Sequence, residues 1–248
     1  MLAMDWSFAA LVASVAIAFT TEASIGFGAM LLAVTLGATV YPIPTLLPVL
    51  VCLSVLMTSY IVVRHRAHVQ WRLLGRQILP AMGFGGAAGY VLFVNASPAL
   101  LKSLLGVFVL AVAGLELSRQ LRGSVVVAAS GISPLRFATT AVGAGVVHGM
   151  TATGGPVLVY AVGKLGLHKS DFRATLACVW LVLNATLAVV YAASGRLGAD
   201  EATTVAALAP VVACSVVAGE WLHGRLDERS FRIGVLVLLA GAGVSLLV

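Results

Sequence analysis

The chain has 248 residues, of which 60% are hydrophobic and only 10% are charged. A soluble domain carries about 25% charged residues, so this composition excludes a water-soluble fold. The net charge of +6 does not indicate a nucleic-acid partner, because membrane topology itself requires an excess of Lys and Arg in the loops between apolar spans. We therefore predict an all-α integral membrane protein in a lipid bilayer, without a soluble catalytic domain.

Ten apolar segments follow one another, and none shows the alternation that a membrane β-barrel needs. Two neighbouring pairs are short, and they flank glycine-rich breaks at residues 22–28 and 148–156. A 12-residue helix covers about 18 Å, well short of a hydrocarbon core of about 30 Å. Each pair therefore predicts a re-entrant or broken short-helix hairpin. The segments cover residues 7–21, 29–40, 44–63, 77–94, 100–117, 137–150, 156–166, 174–193, 203–221 and 231–248.

The order of these segments repeats. An offset of 126 residues carries Gly28 onto Gly154 and Cys52 onto Cys178, although few other residues match. Each half then contains a broken pair followed by three long segments, which favours a duplication. We predict a first membrane repeat at residues 1–117, a connector at 118–136 and a second membrane repeat at 137–248. Because each half crosses the membrane an odd number of times, the two repeats should be inverted relative to each other.

Basic residues give the orientation. With the loop at residues 64–76 in the cytoplasm, every Lys and Arg of the 15 in the chain except Lys102 and Arg196 lies on the cytoplasmic side. The positive-inside rule therefore places both termini outside the cytoplasm.

Ionisable residues at the two breaks are candidates for function. Glu22 is the only ionisable residue between Asp5 and Arg64, and a carboxylate within a membrane indicates a cavity, a proton site or a cation site. The alternative is that it caps backbone groups freed by the turn. His148 lies at the equivalent position of the second break, where it either contributes to a site or hydrogen-bonds a neighbouring carbonyl.

The second break has the features of an anion site. Two threonines and two glycines precede Pro156, so free N–H groups and the positive end of a helix dipole should converge there. Glycines at both breaks would let the backbone approach a ligand, although they also allow close helix packing. Asn184 and Thr58 lie at equivalent positions on long segments, as cavity lining or as an interhelical hydrogen bond. The predicted binding residues are Glu22, Ser24, Gly26, Phe27, Gly28, Thr58, His148, Thr151, Thr153, Gly154, Gly155 and Asn184. Trp180 is assigned to packing or to interfacial anchoring.

Other classes of site are not indicated. The three cysteines lie within apolar runs without a CxxC pair, and no nucleotide-binding or hydrolase motif is present. We expect no enzymatic activity, no cofactor and no structural metal.

At these residues the sequence resembles the TauE/SafE family of sulfite and organosulfonate exporters over nearly its whole length. The resemblance is carried by Gly26-Phe-Gly28, by Gly154-Gly155-Pro156, by the basic loop ending Val69-Gln-Trp71-Arg72 and by the loop at residues 165–175. It implies export of a small sulfur-containing anion, such as sulfite or sulfoacetate, across a bacterial cytoplasmic membrane.

We therefore predict a secondary anion transporter that binds its substrate at the midplane between the two hairpin tips. Coupling to a proton through Glu22 or His148 and assembly as a homo-oligomer both stay open. The alternative is a cation or metal permease or channel in which Glu22 and His148 are ligands. One carboxylate and one imidazole make a sparse ligand set, and two helix N-termini repel cations.

Overall fold

A computed structural model describes residues 6–25, 28–121, 131–222 and 228–248. Regular structure in these ranges is helical, which confirms the predicted all-α class. A π-helical turn at Leu74–Ile78 interrupts the fourth helix without ending it. The helices are α1 (Trp6–Ile25), α2 (Ala29–Gly37), α3 (Ile43–His65), α4 (Trp71–Asn95), α5 (Pro98–Leu121), α6 (Pro134–Thr151), α7 (Gly155–Gly163), α8 (Lys169–Ala193), α9 (Ala199–Leu222) and α10 (Glu228–Ser245).

The helices have the length and surface of membrane spans. In the described ranges, α1, α3, α4, α5, α8 and α9 are long and apolar enough to cross a bilayer. Large apolar side chains also face outward, among them Val63 and Phe84, as expected where lipid covers the outer surface. The protein is therefore a multi-pass membrane protein.

The first helix of each broken pair is longer than the sequence predicts. Helix α1 has 20 residues and α6 has 18, so they extend about 30 and 27 Å. Helix α1 continues through Thr21 and Ser24 because each hydroxyl donates to the carbonyl four residues earlier, which offsets the cost of a polar side chain within the helix. Helix α6 begins early because the Ser133 hydroxyl accepts from the Arg136 N–H. Each pair is thus one long helix followed by one short helix.

The short helices match in length and position. Helices α2 and α7 have nine residues each, or about 14 Å, and both their first and last residues are 126 positions apart. The same offset relates the last residues of α1 and α6, Ile25 and Thr151, and the first residues of α3 and α8, Ile43 and Lys169. The offset found in the sequence therefore also relates the helix boundaries.

Helices of the first half of the chain pack on helices of the second half. Helix α4 packs on α6 and α9 packs on α1, while α3 contacts α8 and α5 contacts α10. At the first two interfaces a glycine lies against backbone: Gly89 of α4 against residues 146 and 150 of α6, and Gly219 of α9 against residues 20 and 24 of α1. These partner positions are again 126 residues apart. Such reciprocity is expected of two repeats related by a two-fold axis; their inverted orientation and the repeat boundaries stay predictions.

Candidate functional site

The turn between α1 and α2 is closed by the chain's own carboxylate. Glu22 is 6% exposed, and its Oε2 accepts a 2.7 Å hydrogen bond from the N–H of Ala29, the first residue of α2. Gly28, the residue before Ala29, has a φ of 106°, in the region that favours glycine. Glu22 therefore has the capping role that the sequence left open, and its negative charge lies at the positive end of the α2 dipole.

The turn between α6 and α7 has no such carboxylate. Ala152 ends α6 with a φ of 56°, and its N–H donates to the His148 carbonyl. Helix α7 then begins at Gly155 with Pro156 in its first turn, where the missing proline N–H costs nothing. In the part of the chain that the structure describes, no side chain caps its first turn. The two short helices therefore differ: a carboxylate occupies the N-terminus of α2, and the N-terminus of α7 stays available.

Buried polar atoms face this second turn. His148 is 3% exposed. Among the described residues, none lies in hydrogen-bonding geometry with either ring nitrogen, although the Asn184 side chain lies close to the imidazole. The imidazole stacks on the Trp180 ring, with 5.8 Å between centroids and 18° between planes. The Asn184 Nδ2 donates to the Ser54 Oγ at 2.9 Å. The Oδ1 of the same amide lies close to the His148 imidazole; it is buried and, among the described residues, has no hydrogen-bond partner. His148 and Asn184 can therefore still bind a polar ligand.

These groups surround one cavity between the two turns and the central helices α3 and α8. Its free volume is about 20 Å³, enough for one water molecule. A ligand larger than water would require the walls of this cavity to move apart. The lining residues are Glu22, Gly28, Met30, Leu31, Ser54, His148, Ala152, Thr153, Gly155, Pro156, Trp180 and Asn184.

Half of the predicted binding residues lie in this lining: Glu22, Gly28, His148, Thr153, Gly155 and Asn184. The structure therefore brings the two breaks together at one point. Gly26 and Phe27 lie outside the described residues.

Four predicted residues lie outside the lining and contact other parts of the protein: Ser24, Thr58, Thr151 and Gly154. The Ser24 hydroxyl donates to the Thr20 carbonyl and reaches the Gly219 carbonyl of α9. The Thr58 hydroxyl donates to the Ser54 carbonyl within its own helix. The Thr151 hydroxyl pairs with that of Thr153.

Gly154 packs against protein backbone. A Cβ atom at this position would lie 2.1 Å from the Ala144 carbonyl oxygen of α6, which is closer than any real contact. Its lack of a side chain is therefore explained by the contact between the start of α7 and α6. Gly155 is the glycine that faces the cavity.

Sequence reasoning missed Ser54 and Trp180. Trp180 is 7% exposed and belongs to the buried hydrophobic core, which agrees with the packing alternative, and it also lies beside His148 in the cavity lining. Ser54 lies one helical turn before Thr58, and Trp180 one turn before Asn184. The offset that relates Thr58 to Asn184 also relates Ser54 to Trp180. Extending the comparison by one turn would have found both residues.

A metal site finds no support among the described residues. No group of three or more His, Cys, Asp or Glu side chains in these ranges lies close enough together to bind a metal ion. The two ligands of the cation alternative, Glu22 and His148, do share the cavity, but they form too small a set for a divalent transition metal.

Comparisons with known proteins identify the family. The family model for sulfite exporter TauE/SafE matches residues 10–246. A protein of Cupriavidus necator described as a "probable sulfite/organosulfonate exporter TauE" is 25% identical over 232 residues, which cover 92% of this chain and 88% of that protein. No solved structure matches at a significant level. Because the family match spans nearly all of the chain, the protein belongs to the TauE/SafE family of membrane exporters.

Proposed function

We propose that the protein is a secondary exporter of a small sulfur-containing anion, such as sulfite or an organosulfonate like sulfoacetate, across the bacterial cytoplasmic membrane. The family and the description of the Cupriavidus necator relative support this substrate class. The anion binds in the cavity between the two turns, at the side of α7.

The observation that carries the proposal is the unequal chemistry of the two turns. Glu22 already neutralises the N-terminus of α2 and would repel an anion there. At the α7 end, no described side chain caps the dipole, and no described residue is in hydrogen-bonding geometry with the His148 nitrogens. One ring nitrogen of a neutral imidazole donates an N–H, and the Asn184 amide has a second N–H beyond the one bonded to Ser54. These donors favour an anion at α7.

Export needs no nucleotide-hydrolysing partner. An inside-negative membrane potential favours the exit of an anion by about 2.3 kcal/mol per charge per 100 mV. The cavity has room for one water molecule, so the halves must separate to admit substrate. Movement of one repeat against the other would open the cavity to each side in turn. A coupling proton at Glu22 or His148 and a homo-oligomer are compatible with this scheme.

Trp180 provides a direct test of binding, because it lies in the cavity and stacks on His148. The other three tryptophans, Trp6, Trp71 and Trp221, are 74%, 59% and 62% exposed and can be replaced by Phe. In this variant, sulfite or an organosulfonate should change the emission of Trp180 at a saturating concentration. A response to divalent cations without any response to these anions would overturn the exporter proposal in favour of the permease.

His148→Ala should weaken the binding of the anion in this titration by about ten- to a hundred-fold, since a hydrogen bond to a charged group contributes about 1.5–3 kcal/mol. Thr186→Ala is the matched control, because Thr186 is exposed on the same helix as Trp180 and its hydroxyl bonds only to the Val182 carbonyl. An unchanged affinity in His148→Ala would exclude the imidazole from the site.

Glu22→Gln separates a gating or proton-coupling role from a ligand role. In the variant that retains Trp180 as its one tryptophan, removal of this negative charge should preserve or tighten the binding of the anion, because the carboxylate repels the substrate. Sulfite flux in reconstituted vesicles should fall if the carboxylate couples a proton or controls opening. A loss of anion binding in Glu22→Gln would show that this carboxylate does not oppose the substrate and would contradict the proposed location of the anion.

A further inference from the structure

Arg173 places a cation next to the cavity without being part of its lining. It lies one turn after the start of α8, and its Nη2 donates to the Ala23 carbonyl of α1 at 3.3 Å. Ala23 is the residue after Glu22. On α8, seven residues separate Arg173 from Trp180, or about 10 Å along the helix axis. The guanidinium therefore lies just outside the cavity, toward the loops that the basic residues place in the cytoplasm.

The guanidinium retains capacity to bind a further group. Its Nε is buried without a hydrogen-bond partner, and a guanidinium carries five N–H donors. Its one hydrogen bond in the described structure goes to a neutral carbonyl. A planar donor set of this kind can bind two oxygens of one oxyanion at once.

The carboxylate of Glu22 interacts with Arg173 through its charge, while its hydrogen bond goes elsewhere. Glu22 lies within electrostatic range of the guanidinium, but its hydrogen bond goes to the Ala29 N–H. Toward the loops, His65 is within electrostatic range of Arg173 and of Arg64, His68 and Glu220. Three carboxylates lie in this region, Glu22, Glu220 and Asp171, and Asp171 pairs with His68. An anion arriving from this side therefore meets the free donors of the Arg173 guanidinium itself and not a surplus of positive charge.

The position of the first half that is equivalent to Arg173 carries no cation. The residue 126 positions before Arg173 is Leu47, which is fully buried in α3. By the offset that relates the helix boundaries, Leu47 is the counterpart of Arg173 in the first half. The two halves of the chain therefore differ by one arginine, which the distribution of basic residues places toward the cytoplasm, the side from which an exporter collects its substrate.

We infer that Arg173 is an outer binding residue that receives the anion from the cytoplasmic side and positions it for entry into the cavity. This inference rests on the proposed function. Glu22, beside Arg173, weakens its hold on the anion, so the anion can move on to His148 at the α7 end. Transport requires a site that attracts the substrate and still releases it.

The test compares the two faces of the membrane. Uptake of radiolabelled sulfite is measured in inside-out vesicles, which present the cytoplasmic face, and in right-side-out vesicles. Arg173→Gln should raise KM at the cytoplasmic face by about tenfold and leave KM at the other face within about twofold, as expected for the loss of one charge-assisted contact. Arg173→Lys, which keeps the charge but loses the planar pair of donors, should raise KM at the cytoplasmic face by less than Arg173→Gln does. Lys169→Gln is the control, because Lys169 is an exposed cation one turn earlier on α8.

Each outcome is informative. A purely structural role for Arg173 would change uptake at both faces and would not be rescued by Lys; that result overturns the inference. Equal KM values for Arg173→Gln and Lys169→Gln also overturn it, while sulfite uptake by the unmodified protein keeps the proposed function intact. No uptake by the unmodified protein contradicts the proposed function itself. If Arg173→Gln does not fold, a KM for Arg173→Lys that is raised equally at both faces overturns the inference, and one raised only at the cytoplasmic face supports it.

Discussion

At the scale of single residues, neighbouring glycines in the second break have different roles. Gly154 lies against the Ala144 carbonyl, whereas a Cβ atom on Gly155 would lie 3.7 Å from the Trp180 ring, an ordinary contact distance. The first glycine allows α7 to approach α6, and the second leaves the cavity open beside Trp180. The sequence alone cannot distinguish them, because both have the same type and adjoin the same proline.

Substitution of each glycine by Ala should separate these roles. Gly154→Ala should destabilise the protein by about 1–3 kcal/mol, because the methyl group would overlap a backbone atom that cannot move freely. Gly155→Ala should fold normally and should weaken sulfite binding, because its methyl group narrows the cavity. Thermal unfolding of the purified variants and titration by Trp180 emission measure the two effects. Equal unfolding temperatures for the two variants would contradict this assignment.

The polar residues of the site were only partly predictable. Glu22, His148 and Asn184 stand out because polar residues within apolar segments are costly and therefore informative. Ser24 and Thr58 satisfy the same criterion, but their hydroxyls bond to carbonyls one turn earlier. Helices satisfy hydroxyl groups in this way regardless of function. Trp180 escaped detection for the opposite reason, since an aromatic residue in an apolar helix does not show from sequence whether it faces lipid or a cavity.

At the scale of helices, the order of the apolar helices could be predicted from the sequence, but the lengths of α1 and α6 could not. An apolar segment of the sequence ends where polar or charged residues begin. The helix that contains it continues as long as its polar side chains find partners. The packing of α4 on α6 depends on glycines four residues apart, Gly85 with Gly89 and Gly145 with Gly149. Such spacing brings two helix backbones together within a membrane. A Cβ atom on any of them would lie within 2.4 Å of the facing backbone.

Helix α4 offers a matched pair of glycines for testing this interface. Gly89→Ala should lower the stability of the protein by about 1–3 kcal/mol, because its methyl group would lie 2.0 Å from the Val146 carbonyl oxygen. Gly83→Ala should be neutral or slightly stabilising, because a Cβ atom at Gly83 has no neighbour within 4 Å and Ala favours the helix more than Gly. Thermal unfolding in detergent is the measurement. A variant Gly89→Ala as stable as Gly83→Ala would show that the helices are not in close contact.

At the scale of the whole molecule, helix boundaries and interfaces related by the same offset of 126 residues favour two structural repeats. This relation does not by itself orient the molecule in the bilayer. Orientation depends on the distribution of basic residues, which the sequence displays directly and packing does not change. The direction of export depends on it in turn, because the potential favours the movement of an anion only from the negative side.

Two exposed positions test the orientation. His68 follows α3 and Gly198 precedes α9, and both are exposed. With Cys52, Cys178 and Cys214 replaced by Ser, His68→Cys should react with a membrane-impermeant maleimide only after the cytoplasmic face is opened. Gly198→Cys should react in intact cells, because the basic residues place its loop outside. The same positions also test the inverted repeats, since His68 follows the third helix of the first half and Gly198 follows the third helix of the second. Labelling of both from the same side would exclude inverted repeats, and reversed labelling would contradict the positive-inside assignment and place Arg173 at the external face.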